Sequence, residues 1–417
     1  MSEYIRRRLE SAGPKRILAL DGGGVRGIVS IGFLEAIEAV LAKRFVSQGI
    51  YQRSEDFRLA HYFDLIGGTS VGSMLATMLA LGWPMSQVRR EFEAEITNIF
   101  KSRQVGGFIR PKYNAGPVFQ AVHKIVGDQP LRSEQLQTGL AIIIKRADKG
   151  SVWPIVNNPN SKWWNSNVDN NGASFVGNGD YKLWQLLRAS TAAPTYFSAM
   201  QIDVLEGPDD DKGFKGMFVD GGVSPHNNPA LQMLLLAGLK GYNLGGPDYN
   251  DNPRAWRLGA NNLQIISVGA GSYAHAYGPR RVCAQEGIDA LFGVISDTQE
   301  LALTLLQWFS RPRLAWEVDS EIGNLNDDIL GLTNGFNQPL LDFQRYDVRL
   351  ENKYLKNLRQ GQPELSEEQL TTLRDFTNPG QVSTLSSLAK RAAQTQVQSE
   401  HFARPFDGLW QDNDGFG

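Results

Sequence analysis

"YFDLIGGTSVGSMLATMLALG", residues 62–82, is the stretch on which the fold turns. An apolar run of β-formers leads into Gly68-Thr69-Ser70-Val71-Gly72, and small apolar residues at helical spacing follow. Strand, tight glycine turn and helix form the context that a G-x-S-x-G nucleophile elbow requires. So sharp a turn lifts Ser70 out of the sheet, and Gly68 and Gly72 remove side chains that would clash in the bend. A turn whose serine merely caps the helix would read the same in these five positions, so the neighbouring stretches decide.

Upstream, "ILALDGGGVRGIVSIGFLEAI" (17–37) repeats the order of strand, glycine turn and helix. Gly22, Gly24 and Gly27 are spaced G-x-G-x-x-G, which fits a pyrophosphate loop or a loop that holds an oxyanion. Two such units predict a parallel α/β sheet. "GLAIIIKRA" (139–147), "GMFVDGG" (216–222) and "LQIISVGAGS" (263–272) are further strand candidates, with Asn228 as N-cap and Pro229 opening the next helix. Between them, residues 151–180 are dense in Asn, Gly and Trp and read as a long irregular excursion. Beyond about residue 276 the strand signals fade, and a capping box from Ser366 to Gln369 opens a helical pattern. The closing "WQDNDGFG" (410–417) is polar enough to fray.

At 417 residues, 41% hydrophobic and 21% charged, the chain is of globular composition. A net charge of −2 gives no global attraction to a nucleic-acid polymer. Its single cysteine, Cys283, allows no internal disulfide, and "MSEYIRRRLESAGPKR" carries no apolar signal core, so a cytoplasmic location is expected. The apolar runs "MLATMLALGW" and "LQMLLLAGL" are far short of the roughly 20 residues that span a bilayer. Membrane contact is therefore expected to be peripheral.

A serine hydroxyl needs a base to take its proton. Of the five histidines, His61 precedes the elbow strand, His123 lies in a helical pattern and His226 follows the fourth strand. His275 or His401 would serve a Ser-Asp-His triad, yet nothing around either favours that role. "FVDGGVSPHNNPA" instead sets Asp220 directly after a strand and before two glycines. Alone, Asp-Gly-Gly is turn chemistry. Paired with Ser70, it makes a nucleophile and a carboxylate at strand ends of one sheet.

These stretches, "DGGGVRG" at 21–27, "GTSVG" at 68–72 and "DGG" at 220–222, with "LLRASTAAPTYF" at 186–197, resemble the patatin-like phospholipase family. The resemblance spans residues 16 to about 275. It implies a three-layer α/β/α fold with a mostly parallel central sheet, Ser70 as nucleophile, Asp220 as base and Gly22, Gly23 and Gly24 as oxyanion hole. No cofactor or metal is implied. The substrate would be a phospholipid or other acyl lipid, with no choice among headgroups or oligomeric states. The expected division is an N-terminal segment (1–15), a catalytic domain (16–275) and a mainly helical C-terminal region (276–417) packed on it.

The oxyanion reading of the first loop also follows from its surroundings. A pyrophosphate loop would be followed about 20 residues on by an acidic residue ending a second strand, whereas Glu38 continues a helical pattern. Glycine N–H groups at a helix start favour negative charge. Arg26 reads first as half of an ion pair at the helix start and second as a contact to a lipid phosphate. Trp153, Trp163 and Trp164 read as packing of a long loop or as bilayer anchors. Rival functions are a catalytically silent binding or storage protein, which intact Ser70 and Asp220 argue against, an α/β-hydrolase esterase with a triad, and an oxidoreductase resting on the glycine loop alone.

Overall fold

Buried aliphatic residues alternate between two cores along each central strand, so helices must cover both faces of the sheet. In the computed structural model, which describes residues 3–101, 111–168, 174–206, 214–246, 256–275, 283–310, 312–320, 323–326, 329, 338–402 and 405–409, twelve strands are assigned. They are β1 (Lys15–Leu20), β2 (Leu65–Thr69), β3 (Gly139–Arg146), β4 (Ser151–Val156), β5 (Asn167–Val168), β6 (Ser174–Phe175), β7 (Met200–Glu206), β8 (Phe214–Asp220), β9 (Leu263–Val268), β10 (Asp319–Ser320), β11 (Gly323–Asn324) and β12 (Asp342–Tyr346). β10 and β11 pair only with each other. The others form one sheet in the order β12-β9-β1-β2-β3-β8-β7-β6-β5, with β4 also on β3.

Leu18 and Leu20 of β1 join one core with Ile66 of β2 and Ile142 of β3, under the helices Gly27–Ser47 and Val71–Ala80. Ile17 and Ala19 join the other with Leu65 and Ala141, beneath the helix Ala230–Gly238 and Leu303 and Leu306 of the helix Cys283–Trp308. The result is a three-layer α/β/α fold. Its strands β12, β9, β1, β2 and β3 are parallel, while β4 and the series β8 to β5 are antiparallel.

Three local expectations change. Residues 151–180 are not loop throughout: β4 runs antiparallel to β3, and β5 and β6 extend the sheet, with 169–173 outside the described residues. β4 carries Pro154, which an edge strand tolerates because one side of it needs no ladder hydrogen bond. The C-terminal region does not merely pack on the sheet, since β12 extends it in parallel register with β9. "DFQRY" hides its strand character because two of its five residues are charged, and both are buried. The helix after β8 begins at Ala230, one residue later than read, with Asn228 Oδ1 accepting from its N–H at 3.0 Å. The capping box at Ser366 and Gln369 is present. The boundary at 276 and the segment 410–417 fall outside the described residues. No helix among the described residues is long and apolar enough to cross a membrane.

Candidate active site

β2 and β8 share one edge of β3, and this places the site. β4 occupies one edge of β3 from Ala141 to Arg146, so β2 and β8 must both lie on the other. β2 covers that edge up to Thr69 opposite Ile143, and β8, running the opposite way, ends with Asp220 opposite Ile144. The two strands thus meet nearly end to end. Ser70 Oγ donates to Asp220 Oδ2 at 2.6 Å. The sequence set Asp220 directly after a strand of a mostly parallel sheet, and in the structure it is the last residue of β8. It reaches Ser70 from an antiparallel strand.

Ser70 itself is held at φ 54° and ψ −129°, in the left-handed region that side chains other than glycine rarely adopt. A Cβ at Gly68 would stand 2.1 Å from the Gly72 carbonyl oxygen, and one at Gly72 would stand 2.4 Å from that of Leu20, so the turn admits no larger residue at either position. The Ser70 N–H donates to Ser190 Oγ at 2.8 Å, whose hydroxyl in turn donates to the Ile143 carbonyl at 2.8 Å. Ser73 Oγ donates to the Ser70 carbonyl at 2.6 Å. Every polar backbone group of Ser70 is thereby fixed.

Asp220 is buried, and burial pushes its carboxyl up to about 7 despite the Ser70 hydroxyl, the Gly222 N–H and the Arg188 charge, which act the other way. Gly222 N–H donates to Oδ1 at 2.7 Å. A carboxylate poised near neutrality beside a hydroxyl is suited to accepting and returning a proton.

The glycine loop lies directly opposite. Gly22 N–H is committed to the Asn227 carbonyl at 3.1 Å, whereas the N–H groups of Gly23 and Gly24 have no acceptor among the described residues. Gly24 adopts φ +54°, and a Cβ there would lie 2.4 Å from the Phe376 carbonyl oxygen. Beneath the loop, Asp21 receives both Nη atoms of Arg345 at 2.9 and 2.7 Å and Gln299 Nε2 at 2.9 Å. Arg345 also reaches Asp347 at 2.7 Å. Burial pushes the Asp21 carboxyl up to about 6, and the guanidinium beside it keeps it ionised at neutral pH. Sequence reading did not find this network, because nothing in "DFQRYD" marks Arg345 as the partner of a residue 324 positions earlier. Ser190 lay within a quoted motif, but its hydroxyl's direction is a matter of tertiary structure.

A cavity of about 140 Å³ joins these groups. Ser70, Asp220 and the three glycines line one part of it, and Met74, Ile96, Ile99, Phe100, Val118 and Phe197 give it apolar walls. Phe292, Ile295 and Phe376, from the C-terminal region, close another side. Among the described residues, none of 151–180 and no histidine is part of its lining. Trp164 is buried under Arg132, Trp153 packs on Phe218, and only Trp163 is largely exposed. Two histidines sit in structural roles: His61 Nδ1 is within 2.8 Å of Tyr51 OH, and His401 Nδ1 within 2.8 Å of Tyr346 OH. Arg26 borders the cavity and an adjoining polar recess of about 70 Å³ that also meets Ser272 and Glu300. It makes no ion pair among the described residues. Its Nη1 donates to the Gly271 carbonyl at 2.8 Å, its guanidinium lies over Tyr273, and its buried Nε has no partner there.

A family model for patatin-like phospholipases matches residues 18–234. The chain is 30% identical over 225 residues to a cGAMP-activated phospholipase of Escherichia coli, a match covering 53% of this chain and 55% of that one. A cGAMP-activated phospholipase of Vibrio cholerae is 27% identical over 291 residues, 67% of this chain and 70% of its own. Patatin-1-Kuras 2 of Solanum tuberosum is 31% identical over 233 residues, 53% and 54% of the two chains. The chain spans about half the length of the Escherichia coli and Solanum tuberosum relatives.

Proposed function

The chain belongs to the patatin-like phospholipase family, and from that premise we propose that it is a lipid acyl hydrolase working through a Ser70–Asp220 dyad. The observation that carries this reading is the 2.6 Å hydrogen bond from Ser70 Oγ to Asp220 Oδ2, at a strained elbow opening on an apolar cavity. Asp220 takes the hydroxyl proton as Oγ attacks the acyl carbonyl carbon. The oxyanion that forms is held by the N–H groups of Gly23 and Gly24, with Gly22 supplying the close approach. The carbonyl then re-forms, the ester bond breaks, and the alcohol leaves with the proton from Asp220. Water, deprotonated by Asp220, attacks the acyl-enzyme, and Asp220 returns that proton to Ser70 Oγ as the fatty acid departs. The acyl chain occupies the cavity walled by Ile96, Ile99 and Phe197, and Arg26 faces the polar side, where a phosphate would lie.

The test is to incubate pure protein with mixed phospholipids and identify the products by mass spectrometry. Fatty acid and lysolipid are expected from the wild type, and neither from Ser70→Ala or Asp220→Ala. A serine-directed fluorophosphonate should label Ser70, and substantial labelling of another serine in the Ser70→Ala protein would overturn the assignment. The names of two relatives make cGAMP the first ligand to add as an activator, since its effect on turnover separates a constitutive hydrolase from a switched one.

A further inference from the structure

The helix Cys283–Trp308 presents three different arcs. Leu303 and Leu306 are fully buried, Phe292 and Ile295 are half-buried and line the Ser70 cavity, and Gln299 holds Asp21. Asp297 and Thr304 lie on the arc away from them, with Glu300 turned toward the polar recess. Between the two runs a row at 291, 294, 298, 301, 305 and 308, spaced by three or four and so sharing one face. It reads Leu, Val, Thr, Leu, Leu, Trp. Leu291, Val294, Leu301 and Trp308 are 43%, 58%, 58% and 41% exposed. The row extends about 25 Å at 1.5 Å per residue. A helix with one covered face ordinarily turns polar side chains outward. This one also turns Leu291, Val294 and Leu301 of a second apolar stripe outward.

We infer that this stripe is where the protein lies on a lipid surface, so that lipid enters the Ser70 cavity past Phe292 and Ile295. The proposal rests on the phospholipase reading above. Two observations single out lipid as the occupant. The stripe borders the row that lines the cavity, so a membrane seated on it brings acyl chains to the apolar walls, whereas a lasting protein partner there would stand in their way. It carries no charge of its own, and the helix holds no Lys, Arg or His while its charges are all acidic, which fits a zwitterionic surface and not an anionic one. The helix lies outside residues 18–234, which the family match covers.

The experiment compares wild type, a Leu291→Ser, Val294→Ser, Leu301→Ser triple variant and Val294→Lys. Each is tested by flotation with phosphatidylcholine vesicles, by release of fatty acid from those vesicles, and by hydrolysis of a soluble short-chain ester. The three positions do not line the cavity, so turnover of the soluble ester should stay within about twofold of wild type. Vesicle binding and vesicle hydrolysis should both fall about tenfold or more as apolar area leaves the interface. Undiminished vesicle binding by both variants would overturn the proposal, as would a wild type that ignores the vesicles. A wild-type dimer in light scattering that the triple variant loses would assign the stripe to a second copy instead. Wild type that binds vesicles but cleaves neither substrate, with or without cGAMP, would leave the surface standing and sink the hydrolase reading.

Discussion

Asp220 and Ser190 carry the sharpest consequences at the scale of single residues. The Asp220 carboxyl titrates near 7 in the folded protein against about 3.9 when exposed in an unfolded chain. As a base it must be ionised, so kcat/KM should rise with pH and reach half its plateau near neutrality. The stability effect has the opposite sign. Between those two values the folded state binds the extra proton, so the stabilisation is complete below about pH 4 and is lost as pH climbs through the folded value. Asp220→Asn should therefore be inactive yet melt a few degrees above wild type at pH 8, and a melting point no higher would show that burial of the carboxylate costs little. Ser190→Ala takes away the acceptor of the Ser70 N–H and should lower kcat by about 10- to 100-fold with KM nearly unchanged, the mark of a displaced nucleophile. Ser190→Thr, which keeps the hydroxyl, should recover much of it. If alanine shifts KM alone, Ser190 does not position the nucleophile. Ser70 and Asp220 were legible because turn chemistry writes glycines around them. Ser190 and Arg345 were not, since a hydroxyl or a guanidinium has the same letter whichever way it points.

At the scale of elements, the order of strands explains both what was readable and what was not. β1, β2, β8 and β9 announced themselves by apolar runs leading into glycine turns and β3 by its aliphatic run, and each strand overlaps the stretch read for it. The direction of β8 did not, because antiparallel pairing over three residues leaves no local pattern. β12 was missed because it buries Arg345, whose charge is met by Asp347 two residues on and by Asp21, 324 positions earlier, a pairing that nothing local announces. Arg345→Met should cost about 3–5 kcal/mol in urea unfolding, since Asp21 and Asp347 would remain buried without their common partner. Much of that loss should return in Asp21→Asn, Asp347→Asn, Arg345→Met, where the site is neutral. A loss below about 1 kcal/mol in the single variant would mean that solvent reaches the carboxylates and that the strand is held by packing alone.

For the whole molecule, the Ser70–Asp220 pair and the walls around it come from different parts of the chain. Residues 18–234 supply Ser70, Asp220 and the glycine loop, while β9, β12 and the helix Cys283–Trp308 complete the sheet, support the loop and close the cavity. The surface that meets lipid follows from this arrangement. The Trp-bearing segment was the sequence's candidate, but Trp153 and Trp164 are packed, and exposed Trp163 rests on Phe175 at the far antiparallel end of the sheet. Trp163→Ala should accordingly leave flotation with phosphatidylcholine vesicles within about twofold of wild type. With a net charge of −2 and an uncharged stripe, raising the salt from about 0.05 to 0.5 M, which shortens the screening length from roughly 14 to 4 Å, should change that binding equally little. Loss of binding in Trp163→Ala would move the membrane contact to the β5–β6 edge. A tenfold fall with salt would point to a basic patch and not to the apolar helix.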